Sequence, residues 1–288
     1  MAVAASVLVA APASAESLTE ALAAAYRDNP TLNAQRAALR ATDEGVPQAL
    51  SGYRPTISAG ANVGIERATI AGVSTGTFYP RAISLTVQQP VFLGFRTVNS
   101  VKMAETAVLA GREVLRNTEQ TILLDAVTAY MDVILAQALV SIRGQNIDFL
   151  TEQVRAAKDR LNVGEGTRTD VAQTDAALAL GRSTYSAAIA QLSAARATYQ
   201  QIIGHAPKNL GKLRSVDKLL PRSVDAGIAT GRARHPAILA AAYNIDVASF
   251  NVRVLEGQLL PTVTLDGTVS SSTDQQGPGS GTTNAAQI

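Results

Sequence analysis

The side chains that could do chemistry are few, and their spacing does not bring them together. Asp125 and Asp132 are the one spaced carboxylate pair of note, and acid–base work would need them close enough to act on one proton. On a helix they lie on one face but two turns apart, which is too far to share a proton. His205 and His235 are far apart in the chain, so the histidines spell neither a catalytic pair nor a His-based metal site, although a carboxylate-only site stays open. Cysteine is absent, which removes disulfides, thiolate ligands, a Cys nucleophile and a lipid-modified N-terminal Cys. The net charge is only +2, with no Lys/Arg run to form a footprint for nucleic acid. Residue types alone therefore point away from an enzyme and imply no cofactor and no metal.

The elements that must position such residues are unusual for a chain of 288 residues. Alanine dominates, Trp is absent and aromatics make up 4%, a composition that favours long, closely approaching helices over a thick core. Residues 1–15 form an apolar stretch ending in Ala13-Ser14-Ala15, the small-x-small pattern of an export signal, ahead of a helix start at Ser17 and Glu20. The basic n-region is missing, so an Ala-rich stretch that mimics a signal is the alternative.

From 18 to 53 the pattern is helical, broken at Asn29-Pro30 and ended by Pro55. From Thr56 to Glu66 the period becomes two, with Ile57, Ala59, Ala61, Val63 and Ile65 opposite Thr56, Ser58, Gly60, Asn62, Gly64 and Glu66. A Gly/Ser/Thr loop, Ala71 to Thr77, leads to a second alternating run with Ile83, Leu85 and Val87 on one face. Together they predict a β-hairpin over 56–92 with a long loop. Each strand has about the ten residues of a membrane β-strand, with Phe78, Tyr79, Phe92 and Phe95 placed for interfaces. A half-buried hairpin of a soluble domain fits these strands equally well.

From 97 to 162 there is no proline, and glycine occurs only at Gly111 and Gly144. That predicts one helix roughly 100 Å long. A turn at Gly164 to Thr167 and a helix from Asp170 to Ile203 complete an antiparallel helical hairpin over 97–203. Leu161, Val154, Ile147, Val140, Val133 and Ala126 recur every seven residues, interleaved with Ala157, Leu150, Ala136, Ala129 and Ile122; Arg143 is the exception. On the return helix Val171, Leu178, Tyr185, Leu192 and Tyr199 interleave with Thr174, Gly181, Ala188, Ala195 and Ile202. A sustained heptad predicts a coiled seam. The apolar stretch Ile122 to Ile142 carries Asp125 and Asp132, each costing about 2.5–3.5 kcal/mol near a bilayer centre. It reads as a helix in a packed collar, the alternative being an ion-conducting membrane helix.

The front of the chain recurs. Asn29-Pro30 returns as His235-Pro236 and Pro55 as Pro261, both at an offset of 206 (236 − 30 and 261 − 55), with Leu32/Ile238 and Ala34/Ala240 in the same register. The expected organisation is a signal peptide (1–15), a first repeat (16–210) and the start of a second (211–288) holding a helix, a strand over 262–270 and a polar loop. By analogy with the first copy, a return strand and a second long hairpin should follow; the reading is of a repeat truncated before them.

A strand hairpin feeding a very long helical hairpin, duplicated once, resembles the TolC family of outer-membrane efflux proteins. Arg160, Leu161, Gly164, Thr169, Asp170 and Val171 fit its R-[FY]-x-x-G-x-x-x-x-[ST]-[DE]-[VL] tip pattern, with Leu161 in place of the aromatic. Asn29-Pro30, the strand starts after Pro55 and Pro261, Gln89-Pro90-Val91-Phe92 and Ala129-Tyr130 match further, so the resemblance covers 17 to about 272. It implies a mainly α protomer with membrane β-hairpins, part of a homotrimeric α-barrel/β-barrel. The implied role is an outer-membrane duct reaching into the periplasm, for drug efflux or type I protein secretion. It implies as partners a periplasmic adaptor, an inner-membrane pump and outer-membrane lipid. Gly164, Glu165, Gly166 and Thr167 then fall at the tip where adaptors dock. Gln153, Thr169 and Asp170 fall among the polar links of the closed tunnel end, although Thr169 and Asp170 at a helix start also read as plain capping. The family's remaining gate partners come from a second helical hairpin, and with the return strand missing a trimer has at most three strands per protomer. A periplasmic coiled-coil adaptor or scaffold, or a non-functional channel fragment, is the rival reading.

Overall fold

The computed structural model describes residues 16–70, 73–211, 220–273 and 282–288; the candidate signal peptide, 1–15, lies outside them. The contacts divide the chain into two compact units, Met1–Ala37 with Leu115–Arg232 and Ala38–Val114 with Ala233–Ile288.

The helices begin where the sequence offers caps. Helix α1 (Leu18–Asp28) starts on a capping box, with the Ser17 hydroxyl accepting from the Glu20 N–H and the Glu20 carboxylate accepting from the Ser17 N–H at 2.8 Å. Asn29 ends α1 and starts α2 (Pro30–Asp43). Its Oδ1 accepts from the N–H groups of Thr31 and Leu32, and its Nδ2 donates to the Ile202 carbonyl at 3.0 Å. That gives both the oxygen and the nitrogen of a buried amide a partner and explains why Asn precedes this proline. Short α3 (Gly45–Ser51) ends the run before Pro55.

Helix α4 (Arg96–Asn162) is unbroken over 67 residues and α5 (Arg168–Ile203) over 36. In the first unit their seam follows the heptads. Ala126, Ala129, Val133, Ala136, Val154 and Ala157 are buried from α4, and Leu178, Gly181, Ala188 and Tyr199 from α5. Arg143, the break in the pattern, is exposed. Gly181 shows why small residues sit on the return helix, since a methyl there would come within 2.8 Å of Leu150 Cδ1. Helix α1 lays Ala21, Ala24 and Ala25 against Ala126, Tyr130, Val133, Tyr199 and Ile203. Glu16 ties this cluster to the chain after α5. It pairs in parallel with Leu210, its carbonyl accepts from the Gly211 N–H at 2.9 Å, and its carboxylate accepts from the Tyr199 hydroxyl at 2.8 Å.

In the second unit, β1 (Thr56–Val63) pairs antiparallel with β4 (Arg81–Phe92), as the period-two runs predict. Between them, β2 (Glu66–Ile70) and β3 (Val73–Phe78) continue the hairpin as a two-stranded ribbon where a loop is expected from composition. The expected strand Thr56 to Glu66 is thus interrupted at Gly64 and Ile65, and Gly64 N–H still bonds the Pro80 carbonyl at 3.0 Å. After α6 (Val224–Arg234), α7 (Pro236–Glu256) begins under His235. Its Nδ1 accepts from the Ala237 N–H, and its φ of −70° and ψ of 121° nearly repeat the −64° and 123° of Asn29. The same backbone device thus recurs at the two X-Pro positions.

Strand β5 (Val263–Thr273) extends beyond the expected 262–270, and β6 (Thr283–Gln287) pairs with it, giving the sheet order β1-β4-β5-β6. This corrects the expectation that only a polar loop follows β5. The polar stretch Ser270 to Thr273 is strand because it pairs with Arg81 to Ser84 of β4. Residues 283–287 are strand because they pair with Thr268 to Ser272. Cross-strand pairing here outweighs weak intrinsic β-propensity. A return strand is therefore present, and this sheet has four strands among the described residues, not three.

Candidate functional site

Two candidate regions stand out, one in each unit. The first is the four-stranded sheet. Its register sets Ile57 beside Val87, Ala59 beside Leu85 and Ala61 beside Ile83, and continues Leu85 to Val269 and Val269 to Ala286, all on one face. The other face holds Ser58, Thr86 and Thr268 in one row and Gly60, Ser84 and Ser270 in the next. Thr86 Oγ1 and Thr268 Oγ1 lie 3.3 Å apart.

Burial along β4 is inverted relative to a water-soluble sheet. Along β4 the apolar Ile83, Leu85 and Val87 are exposed, whereas Ala82, Ser84 and Thr86 are half-buried. Ile57 is 67% exposed, Ile83 68% and Val269 60%. An open apolar sheet face with a polar reverse is what hydrocarbon on one side and water on the other require. The half-buried hairpin of a soluble domain would show the opposite assignment.

The second region is the α4–α5 turn. Gly164 (φ 83°) supplies the left-handed residue that ends α4. The Glu165 N–H bonds the Arg160 carbonyl at 2.9 Å, and Gly166 passes so close to Leu161 and Arg160 that a Cβ would meet Leu161 N at 3.2 Å. Thr167 caps α5. Its hydroxyl accepts from the Asp170 N–H, while the Asp170 carboxylate accepts from the Thr167 N–H at 2.9 Å and its hydroxyl at 2.8 Å. Those bonds, with a lesser contribution from the Arg160 charge, hold the Asp170 carboxyl below its usual range. A lowered carboxyl pKa supports the folded turn above the unfolded value, and that support fades as pH falls through the folded one.

Of the residues singled out from the sequence, Gln153, Glu165, Gly166 and Asp170 line one cavity of about 310 Å³, joined by Arg160 and Gln173. Gly164 and Thr167 shape the turn beside it, and Thr169 stands exposed in the first turn of α5. The cavity is a polar notch between two coils, with donors from Arg160 and the amides and acceptors from Glu165 and Asp170. Such a notch can recognise another chain; it holds no nucleophile set against a base. Asp125 and Asp132 are both exposed on α4 and do not converge. A second heptad row on α4 is also exposed, with Leu124, Met131, Leu135, Ile142 and Phe149 from 45% to 66% accessible.

Sequence reasoning missed a pair of glycines in the second unit. Gly94 (φ 63°) and Gly257 cross so closely that a Cβ on either would overlap the other's carbonyl oxygen. Only glycine permits that approach, which fixes the β4–α4 connection against the end of α7. Neither glycine lies in a periodic pattern, so nothing in a single sequence marks it.

A sheet with an exposed apolar face, in a chain that also carries a long heptad hairpin ending in a polar notch, marks a membrane-seated protein. Comparison with known proteins agrees. The profile of the family described as "Outer membrane efflux protein" matches residues 21–205, and the chain belongs to that outer-membrane family. It is 41% identical over 283 residues to the outer membrane efflux protein BepC of Brucella suis biovar 1, covering 98% of this chain and 61% of that protein. It is 26% identical over 189 residues to the alkaline protease secretion protein AprF of Pseudomonas aeruginosa, covering 63% of this chain and 39% of that one. The solved Campylobacter jejuni CmeC outer membrane channel superposes with a TM-score of 0.76 at 13% identity, over 94% of this chain and 60% of that one. That likeness shows the fold. The chain thus spans 61% of the length of BepC and 39% of AprF.

Proposed function

We propose that this chain is a subunit of a passive exit duct across the outer membrane, with no reaction chemistry and no cofactor. The observation that carries the proposal is the alternation along β4, in which Ile83, Leu85 and Val87 are exposed and Ser84 and Thr86 between them are half-buried. Lipid covers the first set and water in the duct wets the second.

Among the described residues, β1 and β6 each leave one edge unpaired in the four-stranded order. Hydrocarbon does not tolerate open edges, so strands of neighbouring copies close the barrel, in keeping with a homotrimer. The exposed second row on α4 is covered in the same assembly by further helices. A periplasmic adaptor docks at the tip formed by Gly164, Glu165, Gly166 and Thr167, and an inner-membrane pump supplies the energy. Gln153, Thr169 and Asp170 take part in the polar links that hold the tunnel end closed; such links can break while apolar seams stay intact. Residues 1–15 direct export. A periplasmic adaptor or scaffold, the rival role, gives no reason for an apolar face turned outward.

The names BepC and AprF come from efflux and protease secretion, so the cargo is either small compounds or protein, chosen by the pump. Deleting the gene tests the role. Cells lacking it retain a hydrophobic dye that the parent strain expels, or lose an exported protein from the medium. No change in either measurement contradicts the duct.

A further inference from the structure

We propose that a groove between the start of α4 and the end of α7 binds the headgroup of a phosphatidylethanolamine-type phospholipid. The inference rests on the reading of the sheet as the membrane portion and adds a specific lipid contact to it. The groove has a volume of about 430 Å³ and is lined on one side by Phe95, Asn99 and Lys102 and on the other by Arg253, Glu256 and Leu260.

Its charges suit a zwitterion. Lys102 and Arg253 supply two cations and Glu256 one carboxylate, and among the described residues none of the three has an oppositely charged partner within ion-pair distance. Arg253 instead rests 5.4 Å from the centre of the Phe250 ring. A phosphodiester satisfies the two cations, and a primary ammonium satisfies Glu256. The helix ends bear on this, because α4 presents its positive N-terminal end on the side of Lys102 and α7 its negative C-terminal end on the side of Glu256, where Arg253 also stands. A trimethylated ammonium has no N–H for Glu256, and a glycerol headgroup has no charge for it.

The place is right for a headgroup. Strand β4 ends at Phe92 and β5 begins at Val263, so the groove lies where the sheet gives way to helix. Leu260, Val263 and Leu265 are 43%, 51% and 55% exposed and lead from the groove toward the apolar face, where acyl chains would run. Phe95 is 58% exposed and holds a positive φ of 60°, the one non-glycine residue to do so among those described. It stacks edge-on against Phe92 with ring centroids 5.2 Å apart. Backbone strain that holds an exposed aromatic ring beside two cations fits an interfacial anchor.

The test compares the full chain in detergent micelles with short-chain lipids of identical tails, carrying ethanolamine, choline or glycerol headgroups, by native mass spectrometry. The ethanolamine lipid binds most tightly. Lys102→Gln and Arg253→Gln each weaken it by about tenfold, the size of one charge-assisted bond. Glu256→Gln abolishes the preference over the choline lipid. All three side chains are exposed, so circular dichroism and melting stay unchanged and a loss of binding is not a loss of fold. Equal binding of the three headgroups, an unaffected Lys102→Gln/Arg253→Gln double variant, or displacement of the lipid by millimolar inorganic phosphate would overturn the proposal. Vesicle flotation separates the two readings. Wild-type chain that floats without headgroup preference sinks the groove alone, whereas failure to float sinks the membrane sheet.

Discussion

Arginine in place of Leu85 is expected to destabilise the bilayer-inserted sheet by about 2–4 kcal/mol, whereas arginine in place of Thr86 changes it by less than about 1 kcal/mol. The two residues are neighbours in one strand, so β-propensity, distance from the turn and local pairing are nearly the same. They differ in face. Leu85 stands between Ala59 and Val269 on the apolar side, and Thr86 between Ser58 and Thr268 on the polar side. A guanidinium at 85 must enter hydrocarbon, while at 86 it stays in water. Urea unfolding of both variants from lipid vesicles reads the difference. Equal effects at the two positions would mean that the sheet separates no lipid from water.

Tyr130→Ala is expected to cost about 3–5 kcal/mol of fold stability, the range for a buried aromatic truncated in a packed core. Tyr130 is 1% exposed, surrounded by the alanines of α1 and by Val133. Its hydroxyl also lies 2.9 Å from the Glu16 carbonyl and 3.0 Å from that of Gly211, so one proton is shared between two acceptors. Removing the ring leaves a cavity and both carbonyls without that donor. Tyr130→Phe keeps the packing and costs only about 1–2 kcal/mol. Urea midpoints followed by far-ultraviolet circular dichroism separate the two, and equal losses would assign the whole effect to the hydroxyl. Burial also raises the Tyr130 hydroxyl above its ordinary pKa, and the Tyr199 hydroxyl further, with the Glu16 carboxylate adding to the latter. For such groups the stabilising contribution is complete below about pH 10 and falls away as pH rises through the folded values.

The helical part of the fold was readable because a coiled seam writes itself into the chain every seven residues. Val133, Val154, Leu178 and Ala188 are buried and Arg143 is exposed where that period says they should be. The β1–β4 pair was readable for the same kind of reason, an alternation sustained over several residues. Its environment was not, because one apolar face fits lipid and protein core alike until burial is known. Strand β6 carries almost no signal of its own. Thr283, Asn284 and two alanines become strand only through β5, a partner that no window of local sequence contains. The close crossing of Gly94 and Gly257 is likewise a fact about two distant segments. At the tip, Gly164 and the Thr167–Asp170 capping box follow from local rules, whereas the notch that joins Gln153 to Asp170 depends on how α4 and α5 align.

Because the chain has no cysteine, a single introduced thiol reports its own surroundings without background. The most direct test of the duct is the reactivity of Leu85→Cys and Thr86→Cys toward a small, charged, membrane-impermeant maleimide, in outer membranes isolated from cells producing the protein. Rapid labelling at 86 and protection at 85, lifted when detergent replaces the bilayer, is the expected result. Labelling at both positions at similar rates in intact membranes would contradict a sheet that holds lipid on one face and water on the other.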